Sequence, residues 1–183
     1  PSRLVGSEMC IRDRSQHGVK STDTIEFIPA HQVPTNKSVT YATFVLDYRP
    51  TKTEPFRIRI TVGGDKLEYT LDAGSPAANM LETKLLLNSV ISDAHKGARF
   101  MSADLKDHFL MTPMKENEYM KVPFNKFPED IKQQYNLYNL VTSDGYIFIK
   151  IKKAMYGLKQ AAVLAYHHLS LIHISEPTRR EGI

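Results

Sequence analysis

The run Tyr146-Ile147-Phe148-Ile149-Lys150-Ile151-Lys152 constrains the fold of this chain more than any other segment. Successive side chains of a strand point to opposite faces, so the run reads as a strand on which Tyr146, Phe148, Lys150 and Lys152 share one face. Asp144-Gly145 supplies the turn before it, and Gly157 opens a helix after it. Elsewhere strands and helices are mixed without a regular βαβ alternation. The fold class is therefore α+β.

The other elements follow from local signals. Thr24 to Ile28 alternates and stops at Pro29, which predicts a short strand. Val39 to Leu46 is rich in β-branched and aromatic residues and predicts a second strand. Phe56 to Val62 alternates, Gly63-Gly64 reads as a tight turn, and Lys66 to Leu71 returns, which predicts a β-hairpin. Ser75-Pro76 reads as an N-cap with proline at the first helical position, so an amphipathic helix is expected from about Ala77 to Ser92. Arg99 to Asp104 and Tyr119 to Val122 are expected as strands, and Pro128 to Tyr135 as a short helix.

The chain has 183 residues, a length that predicts one domain, and a formal net charge of +4. This mild basicity is compatible with a nucleic-acid partner without demanding one. The one cysteine, Cys10, lies near the start, so neither a disulfide nor a thiolate metal site is expected. No run of eighteen or more apolar residues exists, so no membrane span is expected, and no secretion signal is visible. An intracellular place, cytoplasmic or nuclear, is expected. The histidines lack metal-ligand spacing, and there is no phosphate-binding loop or zinc-finger pattern.

The two ends are related to each other. One codon choice for Leu4 to Asp13 has a reverse complement that, in another frame, encodes Leu169 to Arg179. That DNA resembles a sequencing-library transposon adapter. The expected organisation is an adapter-derived or disordered stretch at 1–14, a domain at 15–168, and a second such stretch at 169–183.

Four blocks carry a resemblance. Asp104-Leu105-Lys106-Asp107-His108-Phe109-Leu110 is similar to an Asp-x-x-x-x-Phe block, and Ile149 to Gln160 to a strand followed by Lys-x-Leu-Tyr-Gly-Leu-Lys-Gln. Glu118 to Pro123 is similar to Glu-x-Tyr-Met-x-x-Pro, and Arg57 to Gly64 to a basic strand ending in glycine. In their order along the chain they resemble the reverse transcriptases of Ty1/copia-like retrotransposons, over about Ile28 to Leu169. The resemblance implies the fingers and part of the palm of a right-hand polymerase. That is a mixed or antiparallel sheet with packed helices, in truncated form.

The resemblance also implies roles. Asp104 is the expected catalytic, metal-binding aspartate, and Leu105 adds a backbone carbonyl to the metal. Two Mg²⁺ ions are expected in the intact enzyme, for attack of a primer 3′-hydroxyl on the α-phosphate of a deoxynucleoside triphosphate. Phe109 would lie beneath the nucleotide sugar, Arg57 and Arg59 over the triphosphate, and Gln160 in the nucleotide pocket. Lys150 and Lys152 are weaker candidates for backbone contact with an RNA or DNA template-primer.

Plainer readings stand beside these. Taken singly, Asp104 is a turn or N-cap aspartate, Phe109 a core aromatic, Arg57 and Arg59 a solvated sheet face, and Lys150 part of an amphipathic edge strand. His108 and Ala162 depart from the family's pattern. No Asp-Asp pair follows Gln160, and the polymerase would need one. The remainder of a pol polyprotein is the expected partner, and the isolated chain is expected to be inactive. The alternatives are a non-catalytic nucleic-acid-binding remnant or a translated assembly artefact without function.

Overall fold

The computed structural model describes residues 22–51, 55–75, 79–102, 105 and 107–175, with the backbone alone at 56–58 and 171–175. Its centre is one five-stranded sheet made of β1 (Ile25–Ile28), β2 (Val39–Tyr48), β3 (Phe56–Val62), β4 (Pro113–Pro123) and β5 (Tyr146–Lys153). The spatial order is β1-β5-β4-β2-β3. Neighbours pair antiparallel except β2 and β4, which run parallel over three registered pairs, Val39 to Tyr41 against Tyr119 to Lys121. The α+β class and the mixed sheet are thus present.

The helices are α1 (Met80–Ser92), α2 (His108–Met111), α3 (Glu129–Gln134) and α4 (Ala161–Ser175). Leu110 of α2, Ile131 of α3 and Ala161 of α4 join the core on one face of the sheet. The strands contribute Ile25, Ile60, Val62, Met120, Val122, Ile147, Ile149 and Ile151, all buried. The register makes this set consistent: Ile25 faces Ile151, Met120 faces Ile149, and Val122 faces Ile147. Each such side chain, fully buried, stabilises the fold by about 1.5–3 kcal/mol before entropy is counted.

The opposite face is the more open one, although Ile28 and Tyr119 on it are buried. Along β5 it carries Tyr146, Phe148, Lys150 and Lys152, all half-buried, as the alternation predicts. β5 is not an edge strand, however; β1 and β4 flank it on either side.

Several local expectations change. Gly63-Gly64 is not a hairpin turn. β3 instead pairs with β2, from Ala42 opposite Val62 to Tyr48 opposite Phe56, and the Arg49 amide bonds the Pro55 carbonyl at 2.6 Å. Gly64–Lys66 is a 3-10 turn, and residues 68–70 make no strand. Helix α1 starts later than expected, with Asn79 as its cap. The Asn79 side chain accepts from the Glu82 amide, and Glu82 bonds back to the Asn79 amide, each at 2.9 Å. This reciprocal pairing satisfies two amide donors that a helix start leaves open. Residues 76–78 lie outside the described residues. Of the expected strand at 99–104, residues 99–102 are irregular, and 103 and 104 lie outside the description.

α1 also packs differently from an ordinary amphipathic helix. Met80, Leu81, Leu85, Leu86 and Ile91 are all more than half exposed. α4 runs without a break past His168 to Ser175. Among the described residues no helix is long and apolar enough to cross a membrane.

Candidate nucleotide and nucleic-acid interface

Two sequence-remote blocks meet at a pair of glycines. Gly157 has φ +99°, a conformation that costs glycine little and other residues much. A Cβ at Gly157 would fall inside the van der Waals shell of the Val62 carbonyl oxygen, and one at Gly64 inside that of the Gly157 oxygen. The Val62 amide donates to the Tyr156 carbonyl at 2.8 Å, and Lys159 Nζ donates to the Leu67 carbonyl at 3.0 Å. The end of β3 is thereby fastened to the turn between β5 and α4. Gly63 serves a similar end, because the Tyr41 ring lies where its Cβ would be.

Phe109 belongs to this junction. Its ring meets that of Tyr156 edge-on, with centroids 5.2 Å apart, and it packs against the core. Such a pair is worth about 0.5–1.5 kcal/mol beyond burial. Helix α2 is held from three sides. Thr24 Oγ1 donates to the Leu110 carbonyl at 3.0 Å, Thr112 Oγ1 donates to the His108 carbonyl at 2.8 Å, and His108 Nε2 lies 3.1 Å from the Ala165 carbonyl. The Leu105 carbonyl, the expected metal ligand, accepts the His108 amide at 3.4 Å, which leaves it a second lone pair. Asp104 itself lies outside the described residues.

Gln160 is 7 % exposed. Its Nε2 donates to Glu118 Oε1 at 3.3 Å, while its Oε1 is buried without a hydrogen-bond partner among the described residues. A buried polar atom left unpaired costs about 1–3 kcal/mol. Glu118 lies opposite Ile151 in the register, on the core side of β4. Burial pushes its carboxyl above the ordinary range, and Glu116 adds to this. The Lys37 charge and the Gln160 amide pull the other way. Lys37 Nζ bonds Glu116 Oε2 at 2.5 Å, which holds the Glu116 carboxyl low and the Lys37 ammonium high.

The basic candidates lie on the other side of the sheet. Arg57 and Arg59 alternate with the buried Ile60 and Val62, so they occupy register positions on the open face; the Arg57 side chain is outside the description. Arg59 Nη2 bonds Asp47 Oδ2 at 3.2 Å, and Arg59 Nε is buried without a hydrogen-bond partner among the described residues. Lys150 Nζ lies 3.8 Å from Glu26 and Lys152 Nζ lies 2.5 Å from Asp23. Part-exposed pairs of this kind contribute about 0–1 kcal/mol each.

The sheet therefore separates the candidates into two groups. Phe109 and Gln160 lie with the glycine junction on the helical side. Arg57, Arg59, Lys150 and Lys152 lie on the open side, with Lys121 exposed between β2 and β5 and its Nζ 4.7 Å from the Tyr146 ring centroid. Among the described residues, no cluster of three or more His, Cys, Asp or Glu could hold a metal ion, so they do not by themselves fit a two-metal site.

The sequence singles out Glu118 by its parity, a signal that the candidate list leaves unused. Glu118 shares strand parity with Met120 and Val122, which marks a carboxylate aimed at the core. The chain matches no protein-family model, and no curated protein or solved structure is significantly similar to it.

Proposed function

We propose that the chain is the fingers and part of the palm of a Ty1/copia-like retrotransposon reverse transcriptase. Its parent would be an RNA-directed DNA polymerase that works inside the cell as part of a pol polyprotein. The observation that carries this reading is the glycine junction. The block Arg57 to Gly64 and the block Tyr156 to Gln160 are far apart in sequence, yet Gly64 and Gly157 touch backbone to backbone. Close approach explains why both blocks need glycine at those places.

In this reading Phe109 and Gln160 border the nucleotide site, and the open face of the sheet runs along template and primer. Asp104 and the Leu105 carbonyl would hold Mg²⁺ together with an Asp-Asp pair, which residues 161–183 do not contain. Residues 1–183 alone should not polymerise. A primer-extension assay with Mg²⁺ checks this, and incorporation above an Asp104→Asn control would overturn it. The reading itself is tested by the coding locus: an Asp-Asp pair in the frame beyond His168 is expected there.

A second reading has its own support. The open face combines Arg59, Lys121, Lys150 and Lys152 with Tyr41, Tyr146 and Phe148, a mixture suited to phosphate contact and base stacking. It does not depend on Asp104. A locus whose palm continues without the carboxylate pair would favour a binding domain that has no chemistry.

A further inference from the structure

The buried amide of Gln160 is half satisfied. Its NH₂ reaches Glu118, and its carbonyl oxygen has no hydrogen-bond partner among the described residues. A glutamine amide offers two donors and two acceptors, and an ionised carboxylate only accepts. Glu118 in its charged form therefore cannot serve the orphaned oxygen. A protonated carboxyl can, because its second oxygen then carries a donor.

We infer that Glu118 holds a proton in the folded chain and closes a cyclic pair with Gln160. In that pair the Gln160 N–H donates to one Glu118 oxygen, and the Glu118 O–H donates to the Gln160 oxygen. The existing contact is kept. The terminal torsions of the two side chains, which would bring the second pair of atoms together, are soft. The pair ties β4 to the turn that leads into α4.

The surroundings support the neutral acid. Across the strand pair Glu118 faces the apolar Ile151. Glu116 and Tyr119 flank it on β4. Lys37, on the segment before β2, is the cation that opposes protonation, but it is already engaged by Glu116 at 2.5 Å. Burial is the largest influence on the Glu118 carboxyl, and it acts in the direction of the proton.

The consequence for the proposed nucleotide site rests on the reverse-transcriptase reading. While the cyclic pair is closed, one donor and one acceptor of Gln160 are committed to Glu118, and a single hydrogen and a single lone pair remain for a sugar hydroxyl. Loss of the proton frees the Gln160 oxygen as an acceptor. Glu118 is thus a positioning residue that couples proton release to the availability of Gln160.

Carbon-13 NMR of glutamate-labelled chain, residues 1–183, tests the pair. The Glu118 carboxyl carbon should titrate above the ordinary glutamate range in the wild type. In Gln160→Met the midpoint should move to lower pH, because the neutral acid loses two bonds and the carboxylate one. A midpoint that rises in Gln160→Met, or a Glu118 that titrates like an exposed glutamate, overturns the inference. As a second measurement, the Gln160 side-chain amide resonances should follow the same titration and lose it in Glu118→Gln. An amide that ignores pH in the wild type would also overturn it. Added deoxynucleoside triphosphate that fails to shift Gln160 at any pH would count against the nucleotide-site reading and leave the pair standing.

Discussion

Ile149 and Lys150 are neighbours in β5 and belong to different worlds. Ile149 is buried beneath the helical layer, opposite Met120 and Phe27. Lys150 stands on the open face between Glu26 and Tyr119. The same strand therefore obeys two sets of rules. On the inner face a change is felt as volume, because packed interiors tolerate neither gaps nor added atoms. On the outer face a change is felt as charge, and its effect on folding is small. Function that binds a polyanion can only be built on the second.

The sharpest way to break the inner face is at the glycine junction. Gly157→Ala forces a side chain into a positive-φ position and against the Val62 carbonyl, so we expect a loss of about 4 kcal/mol in urea unfolding. Next, Ile149→Ala should cost about 3 kcal/mol by cavity formation, against about 0.5 kcal/mol or less for Lys150→Ala. Equal losses at the two positions would end the contrast between faces.

The outer face is tested by binding. Lys121→Ala, Lys150→Ala and Lys152→Ala combined should weaken single-stranded oligonucleotide binding about tenfold at low salt and reduce the salt slope by about 2, with stability little changed. Fluorescence anisotropy over a salt series reads both. An unaltered slope would remove nucleic acid from this face.

The smallest expected effect concerns pH. Because the folded Glu118 carboxyl is raised, its favourable contribution is present at low pH and is lost as pH rises through the folded value. Glu118→Gln keeps a neutral amide in its place. The variant should therefore gain stability relative to wild type as pH rises from 4 to 8, by less than about 1 kcal/mol at the upper end. Denaturant midpoints across that range check the sign.

Strand alternation was legible wherever a strand has one buried face. β1, β2, β4, β5 and α3 lie where Thr24 to Ile28, Val39 to Leu46, Tyr119 to Val122, Tyr146 to Lys152 and Pro128 to Tyr135 point, within a few residues except for the longer β4. Gly63-Gly64 misled because two glycines signal either a turn or a close approach of backbones, and only tertiary structure decides between them. The cap of α1 was present as Asn79 with Glu82 three residues on, but Ser75-Pro76 offered an equally good start. The grouping of the site was not legible at all. That Arg59 and Gln160 fall on opposite sides of the sheet depends on the pairing of β4 with β2 and β5, and that register is written in no single segment.

The position of β1 has a consequence for how the chain is made. Ile25 finds its partner only at Ile151, across most of the domain. At about 5–20 residues per second, a ribosome needs roughly 6–25 seconds to travel the roughly 120 residues between them. Throughout that interval the first strand emerges without a template and must avoid the wrong one. Completion of the sheet is therefore a late event in synthesis, and a ribosome paused before Ile151 would hold a nascent chain whose opening strand is still waiting.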